Sequence, residues 1–137
     1  MSRELYLRFA DAFNRRAYDQ LGEVMADDFV DHHPGLVDVT SLAVYAKNLA
    51  AVIDALEMTA TPEDVVAVDD KVFTRIRLGG RHVGKFLGIA PTGNEVGWYT
   101  HELWRVADGK FVERWAVDDL LSLVGQLGVP LPGWDAA

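Results

Sequence analysis

Val96-Gly97-Trp98-Tyr99-Thr100-His101-Glu102-Leu103-Trp104-Arg105-Val106 and Phe111-Val112-Glu113-Arg114-Trp115-Ala116-Val117-Asp118 flank the dipeptide Asp108-Gly109. Both runs are rich in β-branched and aromatic residues. Asp-Gly supplies the backbone twist of a two-residue hairpin turn, so the stretch reads as two antiparallel strands. With a two-residue turn, Val106 faces Phe111, Trp104 faces Glu113, Glu102 faces Trp115, Thr100 faces Val117 and Trp98 faces Asp119. Strand side chains alternate between faces. This register therefore gathers three tryptophans with Glu102, Glu113 and Asp119. The opposite face carries Tyr99, His101, Leu103 and Arg105 with Val112, Arg114, Ala116 and Asp118. Three tryptophans on a half-buried sheet commonly form core. They also suit the walls of a pocket for a planar molecule whose proton must be moved. A bulge in the hairpin would shift the register by one residue and exchange the faces.

Upstream of the hairpin, Val65 to Val68, Asp69-Asp70 and Val72 to Leu78 read as strand, turn, strand, with Gly79-Gly80 as a bulge or bend. Glycines 84, 88 and 93 with Pro91 mark a loop. The first half has a different period. Leu5, Phe9, Ala12, Phe13 and Ala17 recur at helical spacing, and Tyr18 to Ala26 suggests a short second helix. Phe29 to His33 reads as an extended piece stopped by Pro34. Leu42, Tyr45, Leu49, Val52, Ile53 and Leu56 form a third helical stripe behind a Thr40-Ser41 cap. Leu120 to Leu127 closes the core as a short helix, and Val129 to Ala137 reads as a surface strap. Helices first and antiparallel strands afterwards predict an α+β fold, with helices on one face of a curved sheet and a cavity between them.

The chain has 137 residues, one domain's worth over residues 1–137. Thirteen Lys and Arg against 21 Asp and Glu give a net charge of −8, which repels phosphates and anionic lipid. The expected partners therefore include neither nucleic acid nor a membrane. The absence of cysteine removes disulfides, thiolate metal sites and a cysteine nucleophile, and fits a cytoplasmic location. No histidine pair has ligand spacing, so no metal is expected. No serine stands in a nucleophile-elbow motif and no glycine run forms a phosphate loop. Among the ionisable residues, Asp118-Asp119 sits where the last strand meets the last helix. Either residue caps that helix or serves as an acid/base in an apolar pocket. In His32-His33, alternation points one ring inward. His82 and His101 are further candidates, each equally compatible with a structural role.

Arg81-His82-Val83-Gly84-Lys85-Phe86-Leu87-Gly88-Ile89-Ala90-Pro91-Thr92-Gly93 resembles the G-T-H-x-G-x-F-x-G-I-x-P-T-G segment of the SnoaL-like polyketide cyclases. Val30-x-His32-x-Pro34, Glu113-x-Trp115-x-x-x-Asp119 and Gln126-Leu127-Gly128 are similar to further motifs of that family, in the same order along nearly the whole chain. Arg81 and Lys85 depart from its pattern.

The resemblance implies an NTF2-like cone, in which N-terminal helices pack on a curved, mostly antiparallel sheet enclosing a pocket. It implies a cofactor-independent intramolecular aldol condensation of a small hydrophobic or aromatic polyketide-like molecule, with Asp119 as acid/base. Asp118 takes that place if a bulge intervenes. His32, Asn48, His82 and His101 fall where members carry pocket-lining polar groups, and Trp98 and Trp115 would sandwich the ring system. The wider family also holds polyketide-hydroxylation accessory proteins, epoxide-hydrolase-like relatives and non-catalytic binding modules. Epoxide opening needs an arginine between two carboxylates that hold a water. A mixed apolar and charged outer sheet face, carrying Tyr99, Leu103, Val112 and Ala116 beside Arg105 and Arg114, implies a homodimer, the common arrangement among relatives.

Overall fold

The computed structural model describes residues 2–33 and 36–133. Pro34, read above as the end of the extended segment, and Trp134 in the tail lie outside the described residues. The chain runs through α1 (Ser2–Asn14), a 3-10 turn (Tyr18–Glu23), β1 (Met25–His32), α2 (Leu42–Leu56), β2 (Thr59–Val68), β3 (Lys71–Arg81), β4 (Glu95–Ala107), β5 (Lys110–Asp118) and α3 (Leu120–Gln126). The sheet order is β1-β5-β4-β3-β2; β1 lies parallel to β5 and all other pairs are antiparallel. This is the expected α+β cone. The segment Tyr18–Glu23 forms a 3-10 turn in place of the expected helix.

Two of the three helices, α1 and α3, are tied to the sheet by side-chain hydrogen bonds as well as by apolar packing. Tyr6, Phe9 and Phe13 of α1 are buried with Phe29, Trp104 and Phe111 from the sheet. Asn14 donates to the Ala60 carbonyl and accepts from the Ala60 N–H, which fixes the end of α1 to β2. Ser41 caps α2, accepting from Val44 N–H at 3.2 Å. Gln126 of α3 bonds both the N–H and the carbonyl of Gly97, so α3 closes one end of β4.

Two local devices shape the sheet. β3 runs straight through Gly79-Gly80, without the expected break. Gly80 is required because the end of α2 crosses it: a Cβ there would stand 2.0 Å from the Leu56 carbonyl oxygen. In the β4–β5 hairpin, Asp108 and Gly109 have φ of 52° and 75°, the two positive values that a type I′ turn needs. Val106 pairs with Phe111 as expected, but Arg105 pairs with Glu113, leaving Val112 as an extra residue. Beyond this bulge Trp104 faces Arg114, Leu103 faces Trp115 and Thr100 faces Asp118. The faces expected for β5 are therefore exchanged. Trp98, Thr100, Glu102 and Trp104 share the inner face with Phe111, Arg114, Ala116 and Asp118, while Glu113 and Trp115 lie outside.

Candidate functional site

Helices and inner sheet face enclose a cavity of about 430 Å³. Most of its wall is apolar, including Phe9, Phe13, Leu49, Ile76, Leu78 and Phe86. The exposed side chains of Leu36, Val37 and Leu87 stand at its rim. A second depression, between α1 and the 3-10 turn, is lined by charged side chains that pair with one another, such as Arg15 with Asp11 and Arg8 with Glu23.

One connected polar cluster enters the apolar cavity. It begins with strand pairing: Asp31 of β1 lies beside Arg114 of β5, and Thr74 of β3 lies beside Glu102 of β4. Arg114 donates from Nε to Glu102 Oε2 at 2.7 Å and from Nη1 to Asp31 Oδ1 at 2.8 Å. Thr74 Oγ1 and Tyr6 Oη donate to Glu102 Oε1. Arg114 also lies over the Trp104 ring, 5.2 Å from its centroid. His33 continues the cluster, with Nδ1 2.9 Å from Asp31 Oδ2 and Nε2 3.1 Å from Asp118 Oδ2. Trp98 Nε1–H donates to the other Asp118 oxygen at 3.0 Å. A two-way backbone bridge between Asp31 and Val39 returns the chain after His33 and holds this segment against β1.

The electrostatics follow from these contacts. Burial alone would push the His33 imidazole down, but its bonds to Asp118 and Asp31 outweigh burial and hold it up at about 9. With a carboxylate on each ring nitrogen, the imidazolium is the form that satisfies both. Burial would raise Asp118, yet the His33 bond, the Arg114 charge and the Trp98 bond hold its carboxyl below the usual value. Asp31 is held low against burial in the same way, by His33 and Arg114. Asp118 keeps 15% of its side-chain surface accessible, against 8% for Asp31 and 4% for Glu102. It is the carboxylate of this cluster most open to a ligand.

The residues singled out from sequence divide accordingly. Trp98 stands in the cavity wall, and exposed Asn48 lines the cavity from α2. Asp119 does not line the cavity; it caps α3, accepting from Ser122 N–H at 3.1 Å. His32 lies on the outer face, stacked on Trp115 at 5.3 Å and bonded to Asp38 and Glu113. The bond to Glu113 raises the His32 imidazole and lowers the Glu113 carboxyl. Trp115 is thus on the wrong side to sandwich a ring in the cavity, and His101 is exposed on the same outer face. His82 is fully buried beneath the loop that follows β3, where Nδ1 accepts the Thr92 N–H.

The sequence reading missed His33 as the inward ring, although its parity with buried Phe29 and Asp31 carried the signal. The grouping of Asp31, Arg114 and Glu102 arises from strand pairing, which no local spacing encodes. Among the described residues, no group of three His, Asp or Glu side chains is disposed to hold a metal ion.

The family model of the SnoaL-like polyketide cyclases matches residues 3–127. The aklanonic acid methyl ester cyclase AcmA of Streptomyces galilaeus is 31% identical over 130 residues, 91% of this chain and 89% of that protein. The crystal structure of AclR from Streptomyces galilaeus superposes with a TM-score of 0.83 at 29% identity, over 97% of this chain and 89% of that one. That of IdmH from Streptomyces antibioticus gives 0.81 at 30% identity, over 92% and 97%. On the extent of the family match and the identity to AcmA, the chain belongs to the SnoaL-like polyketide cyclase family.

Proposed function

We propose that the protein closes a ring on a small polyketide-like molecule by an intramolecular aldol-type condensation, without a cofactor. One observation carries this reading: a carboxylate–imidazolium pair, Asp118 and His33, stands at the wall of an otherwise apolar cavity. A C–H between two carbonyls is already acidic, so the reaction needs mainly orientation and one base. Asp118 removes that proton. The enolate carbon then bonds to a ketone carbon of the same molecule, and the proton goes to the new alkoxide. The His33 imidazolium lends positive charge as the oxyanions develop. Atoms are conserved, so substrate and product have equal mass. Incubation with aklanonic acid methyl ester, the compound for which AcmA is named, tests the reading. A product of unchanged mass and altered chromatographic retention supports it, and recovery of unchanged starting material alone opposes it.

A second reading has its own observation. Arg114 bridges buried Asp31 and Glu102, the arrangement that epoxide opening by water requires. Every oxygen of these two carboxylates already accepts from Arg114, His33, Thr74 or Tyr6. Asp118 also accepts at both oxygens, from His33 and Trp98, but its greater side-chain accessibility, 15% against 8% for Asp31 and 4% for Glu102, supports a structural role for the bridge and the assignment of the proton transfer to Asp118. Release of a diol from an aryl epoxide, lost in Asp31→Asn but retained in Asp118→Asn, would reverse the preference.

The outer sheet face supports a homodimer. The bulge moves Ala116 and Arg114 off this face, in contrast to the expected set, and brings Trp115 and Val117 onto it, where with Phe73 of β3 they are exposed at 38%, 61% and 52%. Light scattering at micromolar concentration is expected to give twice the chain mass of 15.2 kDa.

A further inference from the structure

Thr100 lies in the cavity wall, is 2% exposed, and has a side-chain oxygen with no hydrogen-bond partner. A buried hydroxyl left unpaired destabilises a fold. Valine has the same shape, fits a strand as well, and carries no such cost. The neighbouring polar groups do not relieve the hydroxyl, because they bond one another. Trp98 Nε1–H serves Asp118, Glu102 accepts from Thr74, Tyr6 and Arg114, and each nitrogen of Arg114 has a carboxylate. Both nitrogens of His33 are engaged as well. In this wall acceptors are abundant, whereas donors with a proton to give are scarce. The Thr100 O–H is one of them, and a χ1 step of about 120° brings its Oγ1 to the position its methyl group occupies. Thr100 is also the direct cross-strand partner of Asp118.

We propose that Thr100 is the point at which the cavity holds a carbonyl oxygen of its ligand, donating Oγ1–H to it, so that the ligand class is an uncharged cyclic ketone. This deepens the ring-closure reading and rests on it for the role of Asp118. An oxygen fixed at Thr100 brings the adjoining carbon to the carboxylate across the ladder. Three carboxylates against two cations in the cluster disfavour an anionic ligand for the same site.

The test uses binding alone, so that it stands or falls separately from turnover. The probes are 9-fluorenone and fluorene, equal in ring shape and differing in one carbonyl, titrated against tryptophan fluorescence in the wild type, Thr100→Val and Thr100→Ser. The wild type is expected to bind fluorenone about tenfold more tightly than fluorene, the worth of one neutral hydrogen bond. Thr100→Val is expected to bind both equally and to melt at a higher temperature, while Thr100→Ser keeps the preference. A residue needed only for packing would not move the ketone preference. Equal affinity or no binding in the wild type, or a preference that survives in Thr100→Val, would overturn the proposal. Ketone binding through Thr100 without any ring closure would leave it standing and sink the aldol reading instead.

Discussion

His33 Nε2 lies 3.1 Å from Asp118 Oδ2, although 85 residues separate the two in sequence. Two features bring them together. The parity of β1 turns His33 to the side of Phe29 and Asp31, and the Val112 bulge turns Asp118 inward.

Asp119 is a helix cap, and its substitutions should behave as cap substitutions. Asp119→Ala is expected to cost about 1 kcal/mol, and Asp119→Asn a few tenths or less, because Asn accepts from the same N–H. Urea unfolding of the two variants checks this. Equal, large losses in both would contradict the capping role.

Stability should fall on the alkaline side. Folded His33 is held at about 9 against an ordinary value of 6.5, so the native state keeps this proton to higher pH than the unfolded chain does. The stabilisation is complete below about 6.5 and is lost as pH rises through 9. Asp31 and Asp118 are held below 3.8, so their contribution is present above that value and is lost as pH falls below it. The cluster is therefore most stabilising between these limits. The urea midpoint is expected to be higher at pH 6 than at pH 9.5, a difference that shrinks in His33→Gln. Some of it should remain, because His32 is also raised. An unchanged difference in His33→Gln would contradict the assignment.

Arg114→Met is expected to cost about 3–5 kcal/mol, because it removes the cation and leaves Asp31 and Glu102 buried without it. Chemical denaturation measures this directly. A loss under about 1 kcal/mol would mean that the bridge adds little to the fold.

Gly80→Ala places a methyl group 2.0 Å from the Leu56 carbonyl oxygen and 2.5 Å from that of Glu57. Both are backbone atoms, so the end of α2 must move. A cost of about 2 kcal/mol or more is expected, read as a lower melting temperature. A variant as stable as the wild type would show that α2 does not rest on this glycine.

Much of this fold is legible in the sequence because local signals agree. Asp108-Gly109 specifies its turn, the stripe from Leu42 to Leu56 specifies α2, and Ser41 specifies its cap. The site is less legible, and the reason is physical. Val112 is a good strand residue with nothing to mark it as a bulge, yet that one extra residue moves Glu113 and Trp115 outward and brings Arg114 and Asp118 inward. Asp31 and Arg114 meet through a parallel pairing of strands from opposite ends of the chain. Period and spacing do not encode such a contact. Gly80 was visible as a glycine, but the reason for it is a helix end passing overhead.

In the proposed ring closure Asp118, and not its neighbour, moves the proton. The most direct measurement is the rate of ring closure of aklanonic acid methyl ester by wild type, Asp118→Asn and Asp119→Asn, followed by chromatography. Loss of a positioned acid/base is expected to slow Asp118→Asn by about 10²–10⁴-fold. Asp119→Asn should run at close to the wild-type rate. An active Asp118→Asn beside an inactive Asp119→Asn would contradict the account.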